Sequence, residues 1–244
     1  MILILLSHYD DEIFLLPQIK TLKEEILVVY LTDSAYPNWT TPRYRQMECQ
    51  RSWRILHSTV TLNFFGFDNN IRDGRLHLDF DSRHTQELIR LLPTNDITQI
   101  WALSPEGGHQ DHDFTFAIAN HVSTTLGRSL SHYPAYRLRT KPKFPGFDVM
   151  SSRQDCSCER ISSDASAAEL LILFLKLVIF AYPSQVKTWF ALGPFVIKTF
   201  LVSEHKEHSC PQTYSKNCHD YLWFRRKRAN HSEFIARLGI FQSH

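Results

Sequence analysis

Short apolar runs alternate with helical patterns through the first 130 residues, and that alternation restricts the fold more than any other feature of the chain. Ile2–Leu6, Ile26–Leu31, Val60–Phe65 and Ile97–Leu103 read as strands, each a brief stretch rich in aliphatic and β-branched residues. Leu16–Glu25, Pro42–His57 and Ser82–Leu92 have helical character, and Pro17 falls in a first turn, where a missing N–H is harmless. Strands without a polar face need cover on both sides. The pattern therefore predicts an α/β fold, a mostly parallel sheet with helices on both faces, in which ligands bind beyond the carboxyl ends of the strands.

The 244 residues suit a single domain. Its core is expected over 1–138, followed by an irregular excursion over 139–165, rich in Lys, Pro, Ser and Arg, and a helical C-terminal appendage over 166–244. The most apolar stretch, Ala167 to Tyr182, is broken by Glu169 and Lys176. It falls short of the roughly 18 uninterrupted apolar residues of a spanning helix, so a core helix is expected there and no transmembrane segment. The wider region Ala167–Val202 suits the core, a neighbouring subunit or a lipid surface, which leaves the oligomeric state open.

Twenty-seven basic residues against 25 acidic ones leave a net charge of +2, too little for an overall field that recruits nucleic acid. The run Arg225-Arg226-Lys227-Arg228 beside Trp223 and Phe224 reads as a solvated face, and no nucleic-acid partner is expected. The turn after the first strand lacks G-x-G-x-x-G and no phosphate loop occurs, which argues against nucleotide binding. Cysteines at 49, 156, 158, 210 and 218 form no even framework, and no secretory signal precedes them. Reduced thiols in a cytoplasmic protein are expected, with Asn38-Trp39-Thr40 and Asn230-His231-Ser232 unmodified. His205, His208, Cys210, Cys218 and His219 follow no metal-binding spacing and read as loop residues.

Chemistry concentrates after two of the strands. Ser7-His8-Tyr9-Asp10-Asp11-Glu12 places an imidazole and three carboxylates at a strand end, where consecutive acids repel unless a cation or a donor offsets them. A helix N-terminus enriched in carboxylates is the plain alternative. After the fourth strand, Pro105-Glu106-Gly107-Gly108-His109-Gln110-Asp111-His112-Asp113 leads into the helix-like Phe114–Thr125. Histidines three apart share a helical face, although an isolated H-x-x-H is often only a pair of surface histidines. Both clusters fall on one edge of a parallel sheet. Two imidazoles and a carboxylate drawn from them form a familiar ligand set for a catalytic zinc ion with an open position, which implies hydrolysis.

These residues resemble the PIG-L/LmbE superfamily, zinc-dependent N-acetylglucosaminyl deacetylases with a Rossmann-like fold. The family's His-Pro-Asp-Asp-Glu after a first strand is matched by His8, Asp10, Asp11 and Glu12, with Tyr9 in place of proline. Its Arg-x-x-Glu is matched by Arg45 and Glu48, its aspartate-bearing turn by Phe64-Phe65-Gly66-Phe67-Asp68, and its His-x-Asp-His by His109-Gln110-Asp111-His112. A weaker C-terminal signature matches Lys176 and Tyr182-Pro183-Ser184-Gln185.

The resemblance implies that His8, Asp11 and His112 bind Zn2+, that Asp10 is the general base, and that His109 meets the oxyanion with Asp111 holding its imidazolium. It implies substrate contacts from Arg45 and Asp68, although the first could be one half of a helix-face ion pair and the second a turn residue for which Asp73 competes. Some relatives carry a tyrosine two positions before the oxyanion histidine; Gly107 stands there, which leaves Tyr182 as the candidate phenol. The implied reaction is removal of acetyl from an N-acetylated amino sugar or glycoconjugate. A zinc amidase acting on a non-sugar amide, or a catalytically silent sugar-binding protein of the same fold, are the alternatives.

Overall fold

The computed structural model describes residues 1–35, 40–105, 107–138, 147–149, 158–160, 165–202, 206–208 and 229–241. Five parallel strands form the body of the sheet: β1 (Ile2–Leu6), β2 (Ile26–Tyr30), β3 (Val60–Asn63), β4 (Gln99–Leu103) and β5 (Ser129–Tyr133), in the spatial order 3-2-1-4-5. Every residue of β1 and β2 is buried, so both faces are covered. Ile2, Ile4 and Leu6 join one apolar layer while Leu3 and Leu5 join the other, the two-residue alternation of a strand.

On the first face lie a 3₁₀ turn (Asp11–Leu15), α1 (Leu16–Ile19) and α2 (Pro42–Leu56), which brings Cys49 and Trp53 inward. Thr41 caps α2 by accepting the Tyr44 amide, and Pro42 occupies its first turn. The second face carries α3 (Phe65–Asp68), α4 (Leu76–Asp79), α5 (Ser82–Leu91) and α6 (Gln110–Leu126), the last stopped by Gly127 in the left-handed conformation. The first α-helix starts at Leu16 as expected but ends at Ile19, short of the expected Glu25, and a 3₁₀ turn over Asp11–Leu15, inside the acidic motif, precedes it.

The described parts of the expected irregular excursion are strands. β6 (Tyr136–Leu138) pairs antiparallel with β7 (Phe147–Val149), and β8 (Cys158–Arg160) pairs with β9 (Lys206–His208), which joins the sheet edge beside β5. Beyond them, α7 (Ala167–Lys176) runs through a π-helical turn over Leu177–Ala181 and a 3₁₀ turn over Pro183–Gln185 into α8 (Val186–Val202). Leu170, Phe174, Trp189 and Phe200 from this hairpin share the apolar layer of β1 and α2, while Phe234 and Leu238 of α9 (His231–Leu238) join the opposite layer. The expectations for Asn38, Trp39, Cys156, His205, Cys210, Cys218, His219 and Arg225–Arg228 lie outside the described residues.

One glycine shows how tightly the strand ends are locked. A Cβ at Gly66 would stand 2.3 Å from the Thr32 amide nitrogen and 2.4 Å from the Leu31 carbonyl carbon. Thr32 in turn donates both its amide and its hydroxyl to the Ser7 carbonyl, at 3.2 and 2.6 Å, so the clash would press on the end of β1. Gly66→Ala is expected to destabilise by about 3 kcal/mol, the upper range for forced overpacking, read as a lowered urea midpoint.

Candidate metal centre and active site

The strand order reverses at β1: β2 and β3 lie on one side, β4 and β5 on the other. Crevices beyond such a switch point are where open parallel sheets bind ligands. His8–Glu12 leave β1 there, and His109–Asp113 follow β4 into α6. Gly107 takes φ 72°, a conformation that disfavours any other residue, and its amide donates to Asp113 Oδ1 at 3.1 Å. That turn delivers His109 to the N-cap of α6, where Nδ1 accepts the Asp111 amide at 3.2 Å.

Stretches a hundred residues apart then meet. His8 Nδ1 stands 3.3 Å from His112 Nε2 and 3.4 Å from Asp11 Oδ2, and His112 Nε2 stands 3.0 Å from Asp11 Oδ1. Atoms bound tetrahedrally to zinc at about 2.0–2.1 Å lie about 3.3 Å from one another, so this triangle has the size that a shared ion requires. Asp11 is fixed from behind, because its Oδ2 accepts the Ser7 and His8 amides at 3.1 and 2.7 Å. Burial would raise the Asp11 pKa, but His112 and His8 outweigh it and hold the carboxyl well below its ordinary range. Burial likewise opposes charge on His8, yet Asp73 and Asp11 raise its pKa well above the usual value. The field that favours an extra positive charge on His8 equally favours a divalent cation.

The other nitrogen of His8 faces carboxylates. Nε2 lies 3.3 Å from Asp73 Oδ1 and 3.3 Å from Asp111 Oδ2. Asp111 also accepts the amides of Gly74 at 2.6 Å and Leu76 at 3.2 Å. Its carboxylate is thus engaged with His8 and two backbone amides, within 4.8 Å of a His109 ring nitrogen. His109 stays close, with ring centroids 4.7 Å from His8 and 5.3 Å from His112. Asp68 ends α3 exposed, whereas Asp73, its competitor, abuts the histidine.

Asp10 stands apart from the triangle in its bonding. Its Oδ1 accepts from Arg45 at 2.9 Å and its Oδ2 from the Trp189 indole N–H at 3.1 Å. Arg45 also donates to Glu48 at 2.8 Å and to the Ser34 carbonyl at 3.3 Å, and Glu48 in turn accepts the Ser184 amide and hydroxyl at 2.8 and 2.6 Å. A buried guanidinium needs this degree of pairing, and only 3% of the Arg45 side chain is exposed. The structure places Arg45 against Asp10 and Glu48. Burial raises the Asp10 pKa and Arg45 opposes it. Ser34 adopts φ 52°, a strained conformation for a non-glycine; its hydroxyl accepts the Tyr9 amide at 2.9 Å and its carbonyl accepts from Arg45.

Tyr182 is wholly buried, and its hydroxyl bonds the Tyr9 carbonyl and Glu12 Oε1, within the acidic motif. A carbonyl can only accept; with the single hydroxyl proton given to Tyr9, the contact with Glu12 calls for a proton on the carboxyl. Tyr30 and Ser52 complete the surroundings of Glu12, and burial pushes its pKa up to about 8. Glu12 thus binds its proton more tightly in the folded than in the unfolded chain. On its account stability is fully present below the ordinary carboxylate range and falls as pH rises toward about 8. Glu12→Gln keeps the shape and removes the titration. Its stability relative to the parent should improve between about pH 5 and about pH 9, measured as urea midpoints at both ends.

Trp189 and Ser34 were not singled out as site residues by motif. Trp189 follows the Tyr182-Pro183-Ser184-Gln185 signature by four positions, one turn into the helix that the signature opens, which is the signal that could have found it.

No curated protein sequence matches the chain. Among solved structures, it is similar to the zinc-inhibited form of teicoplanin deacetylase, with a TM-score of 0.56 and 13% identity over 85% of this chain and 96% of that one. A deacetylase–teicoplanin complex gives a TM-score of 0.54 at 13% identity, over 85% and 96% of the two chains. The N,N'-diacetylchitobiose deacetylase of Pyrococcus horikoshii gives 0.53 at 20% identity, over 85% and 81%. These likenesses establish a common α/β fold. Residues 3–123, which hold the whole triangle together with Asp10, Arg45 and His109, match the family PIG-L, GlcNAc-PI de-N-acetylase, and this part of the chain belongs to that family.

Proposed function

We propose that the protein is a zinc-dependent hydrolase that removes the N-acetyl group from an N-acetylglucosamine-type substrate. The observation that carries this reading is the triangle of His8, Asp11 and His112, whose facing atoms lie 3.0–3.4 Å apart beside a carboxylate, Asp10, bound to other partners. Those three side chains would hold the ion, which supplies acidified water and polarises the acyl oxygen when bound. Asp10 accepts the proton from water. Its basicity is set by burial against Arg45, and its two oxygens are aimed by Arg45 and Trp189.

His109 presents the donor for the developing oxyanion. With Nδ1 accepting the Asp111 amide, the neutral ring carries its proton on Nε2 and donates a hydrogen bond to the developing charge, while the proton that Asp10 takes from water passes to the departing amine. Asp111 and Asp73 fix the orientation of His8 through Nε2.

Metal analysis of the purified protein followed by a screen of N-acetylated amino sugars tests this. About one zinc per chain is expected, with primary amine released in equimolar amount to acetate. Protein that holds no divalent ion after reconstitution and releases no amine would overturn the proposal.

A further inference from the structure

The hairpin of α7 and α8 carries a surface for which amide hydrolysis has no use. α7 is apolar on two sides. Leu170, Phe174 and Leu177 enter the core, while Ile172, Leu175, Ile179 and Phe180 follow one another at helical spacing along the opposite stripe, 43–67% exposed. α8 repeats the arrangement: Trp189, Val196 and Phe200 point inward, and Phe190 and Leu201 are 76% and 66% exposed. Isolated exposed apolar residues are ordinary, but two adjoining stripes of them mark an interaction surface.

Charge identifies the partner. Lys176, Lys187 and Lys198 lie exposed on the same stripes, one helical turn from Ile172, Phe190 and Leu201. Across residues 167–202 the sole acidic residue is Glu169, which is bound into the N-terminal cap of α7. Large apolar side chains among lysines, without acids, match an anionic bilayer surface. A second copy of the chain is a poorer match, because a symmetric contact through this face would set lysines against lysines. Crossing the bilayer is also a poor match. Among the described residues no single helix is long and apolar enough, the two helices meet at a 100° bend, and one side of each is packed into the protein core.

We infer that the α7–α8 hairpin docks the protein on an anionic lipid surface, lying along the interface. The inference goes beyond the deacetylase reading and stands without it. The docked element is joined to the site all the same: the bend supplies Ser184 to Glu48, and α8 supplies Trp189 to Asp10.

Flotation with vesicles, in the absence of substrate, tests it. The protein should bind vesicles of phosphatidylcholine mixed with phosphatidylglycerol and bind pure phosphatidylcholine far less. Combining Ile172→Glu, Ile179→Glu and Phe180→Glu should weaken binding more than about tenfold with unchanged thermal unfolding. Lys176→Gln, Lys187→Gln and Lys198→Gln should each reduce the preference for the anionic vesicles by about fivefold. Absence of flotation with the anionic vesicles, equal binding to both vesicle types, or binding undiminished in the triple glutamate variant would overturn the inference. So would self-association in vesicle-free buffer that the same variant abolishes, which would assign the face to a second copy.

Discussion

Asparagine at position 10 is expected to lower kcat by about 10²–10⁴-fold, the range that a positioned general base contributes, while zinc content and fold persist. The change is nearly isosteric and removes a negative charge that burial already disfavours, so the loss of pairing to Arg45 is offset in part by the relief of desolvation. Arg45 retains Glu48 and the Ser34 carbonyl. Stability should consequently change far less than activity, because the carboxylate is held for its chemistry at some expense to the fold. Three readings separate the roles: steady-state kinetics on a soluble N-acetylated sugar, bound zinc by elemental analysis, and thermal unfolding. Turnover within about tenfold of the parent, with zinc retained, would remove Asp10 from the role of base. Loss of zinc would move it into the ligand set.

The parts of the site that were legible in the sequence are those created by local order. A residue at the end of a strand is placed by the strand itself, so Ile2–Leu6 followed by His8 and Asp11, and Ile97–Leu103 followed by His109 and His112, could be assigned to one sheet edge before their separation was known. β1, β2 and β4 were readable for a related reason: burial on both faces demands continuous apolar runs. β5 was not, since Ser129-Leu130-Ser131-His132-Tyr133 is half polar and owes its place to pairing with β4 along one side.

What the sequence concealed depends on contacts across long separations. Arg45 reads equally well as a surface ion pair or a substrate clamp until Asp10, Glu48 and Ser184 are seen around it, the last 139 positions away. Tyr182 reads as a phenol available to substrate, with no sign in the sequence that its hydroxyl lies against Glu12 and the Tyr9 carbonyl. In both cases the motif named the residue and the packing shows what it touches. The hairpin was legible as apolar, but its two-sidedness was not, because exposure along α7 is decided by which stripe meets the β1 layer.

Removal of the His112 imidazole should produce the second large effect. His112→Ala takes away one corner of the triangle and leaves His8 and Asp11, 3.4 Å apart, as a two-residue remnant. Zinc affinity is expected to fall well beyond the about 10–100-fold that accompanies loss of an outer carboxylate, and hydrolysis should fall with it. Asp111→Asn supplies the comparison, since it keeps the volume while weakening the contact with His8 Nε2, and should fall within that range. Competition with a chromogenic chelator measures both on one scale. The same titration tests whether the ion is needed at all, because stripping zinc from the parent should abolish turnover and adding it back should restore it. If His112→Ala and Asp111→Asn weakened zinc equally, the triangle would not be the ligand set, and the carboxylates around His8 Nε2 would be the better home for the ion. The two variants therefore discriminate between the two faces of a single imidazole, Nδ1 toward Asp11 and His112 or Nε2 toward Asp73 and Asp111.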